Sequence, residues 1–159
     1  VIAPLFWFFL GGLPGLLIYK ITNTADSMIG YLTPRHAKFG WAAAKLDDVL
    51  NWVPARITAM IMLTVSWRWD LLERVMDDAA LHRSPNAGWP EAALAHVLNF
   101  AVSGPRSYDG DMLDFPYVNP NGIRELAPHH IDEAVMLLWK VWGVVLACAL
   151  VPTLLFLLF

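Results

Sequence analysis

The chain has 159 residues, 57% of them hydrophobic and only 16% charged, with a mean hydropathy of +0.48. A soluble domain carries nearer a quarter charged residues, so this composition points to a membrane protein. The net charge of −3 comes with no basic stripe for nucleic acid, and the single cysteine, Cys148, excludes an internal disulfide or a cysteine-built zinc or haem site.

Residues 1–19 hold no charge and end at Tyr19 and Lys20, an interfacial aromatic and a base, which predicts a transmembrane segment. Gly11, Gly12, Pro14 and Gly15 interrupt it and predict a broken helix. No basic region precedes it, which argues against a cleaved signal peptide. Residues 20–38 are polar and turn-rich, with Asn23, Asp26, Ser27, Gly30 and Pro34. From Phe39 onward, Ala42, Ala43, Leu46, Val49, Leu50 and Val53 recur at helical spacing and predict a helix with an apolar stripe. Asp47, Asp48 and Asn51 fall on the other side, flanked by Lys45. Such a face is either solvated or a carboxylate pair suited to Mg2+, which takes carboxylate and phosphate oxygens.

Pro54 predicts the start of a long helix over 54–82, apolar at 57–67 and amphipathic beyond Trp67. The apolar part is short of the ~20 residues that a span requires. Residues 82–93 concentrate polar groups: 84–88 read as a loop, Pro90 as the first turn of a helix to about Val102, and Glu91 as a carboxylate favoured there. A loop-to-helix junction explains the Pro, Gly and Glu, but not Asn86 and Trp89 in the same turn. His96 reads as a structural histidine. Residues 103–122 read as a long irregular segment, a length that usually binds something or is disordered. Its Asp109-Gly110-Asp111 run lacks the ligand spacing of a calcium loop. His129 and His130 project to different sides and mark a helix entrance. From Ala134 to Phe159 the only charge is Lys140, with Trp139 and Trp142 suited to an interface; this is the clearest transmembrane segment.

The expected fold is an all-α integral membrane protein, one membrane-embedded unit with transmembrane helices at 1–19 and 134–159 around a helical, loop-rich core at 20–133. Ten of the eleven Lys and Arg residues lie between 20 and 124, so the positive-inside rule puts that core on the cytoplasmic side. If 57–67 also spans, Asp47/Asp48 and Asn86/Glu91 end on opposite faces.

Ala25-Asp26-Ser27-Met28-Ile29-Gly30-Tyr31, Phe39-Gly40-Trp41-Ala42-Ala43-Ala44-Lys45-Leu46-Asp47-Asp48, Asn51-Trp52-Val53-Pro54-Ala55-Arg56 and Ser84-Pro85-Asn86-Ala87-Gly88-Trp89-Pro90-Glu91 occur in this order, followed by Gly104-Pro105, Tyr108 and Gly110. As an ordered set they resemble adenosylcobinamide-phosphate synthase, the CobD/CbiB family of cobalamin biosynthesis. The chain is similar to the C-terminal half of that family; a family block rich in Glu, Asn and Asp is absent, and the start at Val1 rather than Met fits a piece of a longer or two-part protein.

The resemblance implies a multi-pass inner-membrane ligase. It would join a carboxylate of adenosylcobyric acid, its corrinoid substrate, to an aminopropanol phosphate, spending ATP with Mg2+ to form an amide. It implies Asp47 and Asp48 as metal ligands with Asp26 nearby, and Glu91 as a further ligand or the base for the amine. Lys45, Arg56, Asn86 and Gly88, with the N–H groups of 87–89, would meet phosphate. Trp41, Asn51, Ser84 and Trp89 would meet substrate. Membrane lipid, the missing half and other membrane-bound cobalamin enzymes are the implied partners. Two other readings stay open: a non-catalytic corrinoid-binding scaffold, and a transporter component motivated by the Gly/Pro-broken first segment.

Overall fold

The computed structural model describes residues 2–30, 39–108 and 111–158. Tyr31, Pro34, Asp109 and Gly110, which the sequence reading uses, lie outside the described residues. The described chain is mostly helical: α1 (Ile2–Ile29), α2 (Phe39–Val65), α3 (Leu72–Ala80), α4 (Gly88–Leu98) and α5 (Pro128–Leu158), with a 3-10 turn at Trp69–Leu71 leading into α3. α1 and the 128–150 part of α5 are each long and apolar enough to cross a membrane.

The Gly/Pro run breaks α1 as the sequence predicts. Gly12 takes φ 60 and ψ −150, a region open essentially to glycine alone, and Pro14 follows it. The helix then continues beyond Lys20 to Ile29, where a turn-rich segment is expected. That extension lays Asn23 and Asp26 beside α2 instead of in a loop.

Pro54 does not open a helix; α2 runs straight through it. A proline inside a helix has no N–H for the carbonyl four residues earlier. The carbonyl left over is that of Leu50, and the Trp7 indole N–H of α1 donates to it at 2.9 Å. The break comes later instead, splitting the predicted 54–82 helix. Trp67 adopts a left-handed φ of 54, and the N–H groups of Trp67 and Arg68 donate back to the carbonyls of Thr64 and Leu63.

The first half of α2 also turns its faces the other way from a simple amphipathic helix. Leu46, Val49, Trp52 and Val53 are exposed, while Asp47, Asp48 and Asn51 are partly buried against α1 and the 84–87 loop. The core lies further along, where Ala59, Met62 and Leu63 of α2 meet Val75 and Ala79 of α3 and Ala92, Ala93 and Ala95 of α4. Small alanines let α4 approach closely, and Leu63 and Val75 are fully buried.

Within the 103–122 segment expected to be irregular, the described residues form two short antiparallel ladders. β1 (Val102–Ser103) pairs antiparallel with β4 (Tyr117–Val118), and β2 (Arg106–Tyr108) with β3 (Asp111–Leu113). Between the two ladders Gly104 takes φ 80 with the Tyr117 ring packed against its Cα, a place with no room for a side chain. Antiparallel alternation is hidden in the sequence because each strand is only two or three residues long.

Candidate functional site

Asp47 is fixed from both flanking elements. Asn23 Nδ2 of α1 donates to its Oδ1 at 3.1 Å, and Asn51 Nδ2, one turn along α2, donates to its Oδ2 at 2.9 Å. Asn51 is oriented in turn by the Tyr19 hydroxyl, which donates to Asn51 Oδ1 at 3.0 Å. Asp48 lies 3.8 Å from Lys45 Nζ, and its backbone carbonyl accepts from Asn86 Nδ2 at 2.8 Å. The 84–88 loop is thereby tied to the carboxylate pair.

Two cavities meet at this seam. One of about 640 Å3 is lined by Asp26, Asp47, Asp48, Asp78, His82, Arg83 and Ser84, with Ser103 and Tyr117 from the hairpin. The other, about 530 Å3, is walled by Met62 of α2, by Leu138, Val141 and Trp142 of α5, and by Ile2 and Tyr19 of α1, with Asn51 and Asn86 at its polar end. Asp47, Asp48 and Ser84 line both cavities. Asp26, Asp47, Asp48, Asn51, Ser84 and Asn86 are therefore gathered at one place, from three separate stretches of sequence.

Glu91 stands behind this wall. Its Oε1 accepts from the Ser103 hydroxyl at 2.6 Å and its Oε2 lies 3.4 Å from His82 Nε2. The Ser84 N–H donates to His82 Nδ1 at 2.9 Å, which leaves Nε2 to face Glu91. Of the pair, His82 lines the polar cavity and Glu91 does not. His96 is the structural histidine that its place on α4 predicts: it is buried, with Nε2 2.8 Å from Asp78 Oδ2, and Asp78 also accepts the Asn119 N–H at 2.7 Å.

Other sequence candidates sit elsewhere. Trp41 is exposed and lines neither cavity. Arg56 stacks between Trp52 and Trp89, 4.0 and 4.7 Å from the ring centroids, and donates to the Trp52 carbonyl at 2.7 Å. Burial there lowers its pKa from the ordinary value. Gly88 is a close packing contact: a Cβ there would lie 2.7 Å from the Ala79 carbonyl oxygen and 2.7 Å from His82 Cβ. The nearby N–H groups are committed as well, those of Asn86 and Ala87 to Ser84 Oγ and that of Trp89 to the Asn86 carbonyl.

Asp78, His82, Arg83, Ser103 and Tyr117 are site residues that the sequence reading does not single out. His82 and Arg83 lie inside the polar 82–93 stretch, and Asp78 is one helical turn before His82, so a signal for these three exists. Ser103 and Tyr117 arrive only through the pairing of β1 with β4.

The chemistry of the shared wall is oxygen-only. Among the described residues no three His, Cys, Asp or Glu side chains converge as a closed metal cage. Mg2+ does not need one, since it keeps several waters and uses one or two carboxylates with phosphate oxygens. The Asp47–Asp48 pair, with Asp26 on the same cavity wall, fits that requirement.

Comparison with known proteins places the chain in a family. The CobD/Cbib protein family model matches residues 1–138. The chain is 46% identical over 162 residues to the cobalamin biosynthesis protein CobD of Brucella suis biovar 1, covering 95% of this chain and 50% of that protein. It is 42% identical over 166 residues to the CobD of Rhizobium meliloti, covering 98% and 51%. With the CobD of Rhodobacter capsulatus it shares 48% over 120 residues, covering 75% and 38%. No solved structure matches the chain significantly. The chain spans about half the length of the curated relatives it matches, and with these residues and these relatives it belongs to the CobD/CbiB family.

Proposed function

We propose that this chain forms part of an inner-membrane enzyme of cobalamin biosynthesis, an ATP-dependent ligase that joins adenosylcobyric acid to an aminopropanol phosphate through an amide bond. The observation that carries this function is the wall of Asp47, Asp48 and Ser84 common to a polar and an apolar cavity. A two-substrate ligase has to bring a large apolar-faced molecule and a highly charged one to the same few atoms. The relatives are named as cobalamin biosynthesis proteins, which supports that pathway, and the two substrates are those that the family resemblance implies.

In this mechanism Asp47 and Asp48 would hold Mg2+, with Asp26 beside them. Bound with ATP, the ion would assist phosphoryl transfer to a carboxylate with loss of ADP, and the amine would then displace phosphate to form the amide, a reaction in which a protein contributes positioning and charge neutralisation. Asn23 and Asn51 keep the Asp47 carboxylate in one orientation. Lys45 on Asp48, and Arg83 on the polar cavity wall, offset phosphate charge. The Nε2–H of His82 faces Glu91, and the Glu91 carboxylate is the final acceptor of the proton that the attacking amine must lose. α1 and α5 cross the bilayer and hold the polar cavity on the cytoplasmic side.

The test uses the complete gene product purified in detergent, supplied with adenosylcobyric acid, aminopropanol phosphate and Mg-ATP. The coloured corrinoid is followed by chromatography and mass. An ATP-dependent gain of the aminopropanol phosphate unit, abolished by chelating Mg2+ and restored by adding it back, is expected. Corrinoid retained but unchanged would move the assignment to a non-catalytic scaffold, and no retention would remove it.

A further inference from the structure

Asn86 carries the one buried side-chain polar atom without a hydrogen-bond partner among the described residues, its Oδ1. The amide is not free to turn over. Nδ2 donates to the Asp48 carbonyl at 2.8 Å, and a carbonyl oxygen accepts only from the nitrogen side, so Oδ1 is the atom left over. Asn86 is 7% exposed, and an acceptor left dry at that depth is costly unless something fills the place beside it.

Asn86 lines the apolar cavity, and three of the side-chain donors around it are already committed. The Tyr19 hydroxyl is given to Asn51, Asn51 Nδ2 to Asp47, and the Thr58 hydroxyl to the Pro54 carbonyl. Apart from the Ser84 hydroxyl, what remains at the polar end is acceptors: Asn86 Oδ1 and the Asp47 and Asp48 carboxylates. A phosphate would find oxygen facing oxygen here. A group rich in N–H would find an orphan acceptor and an apolar wall for the rest of its molecule.

We infer that the polar end of the apolar cavity binds an N–H-bearing group of a ligand, a primary ammonium or a carboxamide, with Asn86 Oδ1 as its acceptor. Asn86 is then not a phosphate donor, the role that the family resemblance alone implies for it. The ligase assignment above supplies the two sources of such a group, the amine of aminopropanol phosphate and the side-chain carboxamides of the corrinoid. Only the identity of the ligand rests on that assignment; the acceptor geometry does not.

The experiment measures binding without ATP, by equilibrium dialysis of the complete gene product in detergent. The probes are aminopropanol phosphate, the same compound lacking its amine, and adenosylcobyric acid. If the amine sits on Asn86, the wild type prefers the amine-bearing compound by about 10- to 100-fold. Asn86→Leu then erases that preference and leaves affinity for the deaminated compound in place. If a corrin carboxamide sits there, Asn86→Leu instead weakens adenosylcobyric acid by a similar factor. Ala55→Phe, which fills the same cavity and leaves every Asn86 bond in place, weakens the same ligand at least tenfold and decides the matter should Asn86→Leu fail to fold. Unchanged affinity for both ligands in Ala55→Phe, or in folded Asn86→Leu, would overturn the inference. Because no turnover is read, loss of the ligase assignment with an intact Asn86 effect, and the converse, give different results.

Discussion

Asp47 meets Asn23 on one oxygen and Asn51 on the other, so both carboxylate oxygens have a set direction before any ligand arrives. The same economy appears at Trp7, whose indole N–H satisfies the Leu50 carbonyl that Pro54 leaves open. Trp7→Phe keeps the ring and removes that donor. The expected cost is about 1–3 kcal/mol of stability, read as a lower unfolding midpoint in detergent; an unchanged midpoint would mean that another group satisfies Leu50. Glu91 acts through His82, so Glu91→Gln is expected to lower turnover by about 100-fold or more while the protein still binds corrinoid. Equal loss of binding and turnover would assign Glu91 to substrate contact instead. Residue types at the site were legible in part. Asp26, Asp47, Asp48, Asn51, Ser84 and Asn86 do converge, whereas Trp41 and Arg56 point elsewhere, because a helix presents four sides and spacing does not say which one the fold uses.

At the level of elements, the Gly12 break, the α4 start near Pro90 and the long apolar α5 follow from local chemistry alone. Three features do not. Pro54 usually marks a helix start, and here a side chain from another helix removes its penalty. The 102–118 hairpin is built from strands too short for alternation to show. α2 exposes Leu46, Val49 and Trp52 because its polar face is wanted inside, against α1 and the 84–87 loop, a reversal that a periodic pattern cannot distinguish from the ordinary one. The junction of α3 and α4 depends on Gly88. Gly88→Ala places a methyl group against the Ala79 carbonyl and His82 Cβ, and is expected to cost about 1–3 kcal/mol by overpacking. The same change should displace His82 and depress turnover; full stability and activity in this variant would contradict the close approach.

The whole molecule combines two long apolar helices with a polar seam on one side of a small alanine-rich core. Cys148 lies exposed on the apolar part of α5. In native membranes it is expected to resist a water-soluble maleimide and to react once detergent is added; immediate labelling in sealed membranes would contradict the placement of α5 in the bilayer. The arrangement of two cavities on one carboxylate wall belongs to this scale and is invisible in any single motif, since Asp26, Asp48 and Ser84 come from α1, α2 and a loop. Its most direct test is the turnover of Asp48→Asn in the complete gene product, measured beside corrinoid retention. At least a 100-fold loss of amide formation, with corrinoid still retained and the protein still folded, is the predicted result. Near-normal turnover would contradict the shared wall as the place where the two substrates meet.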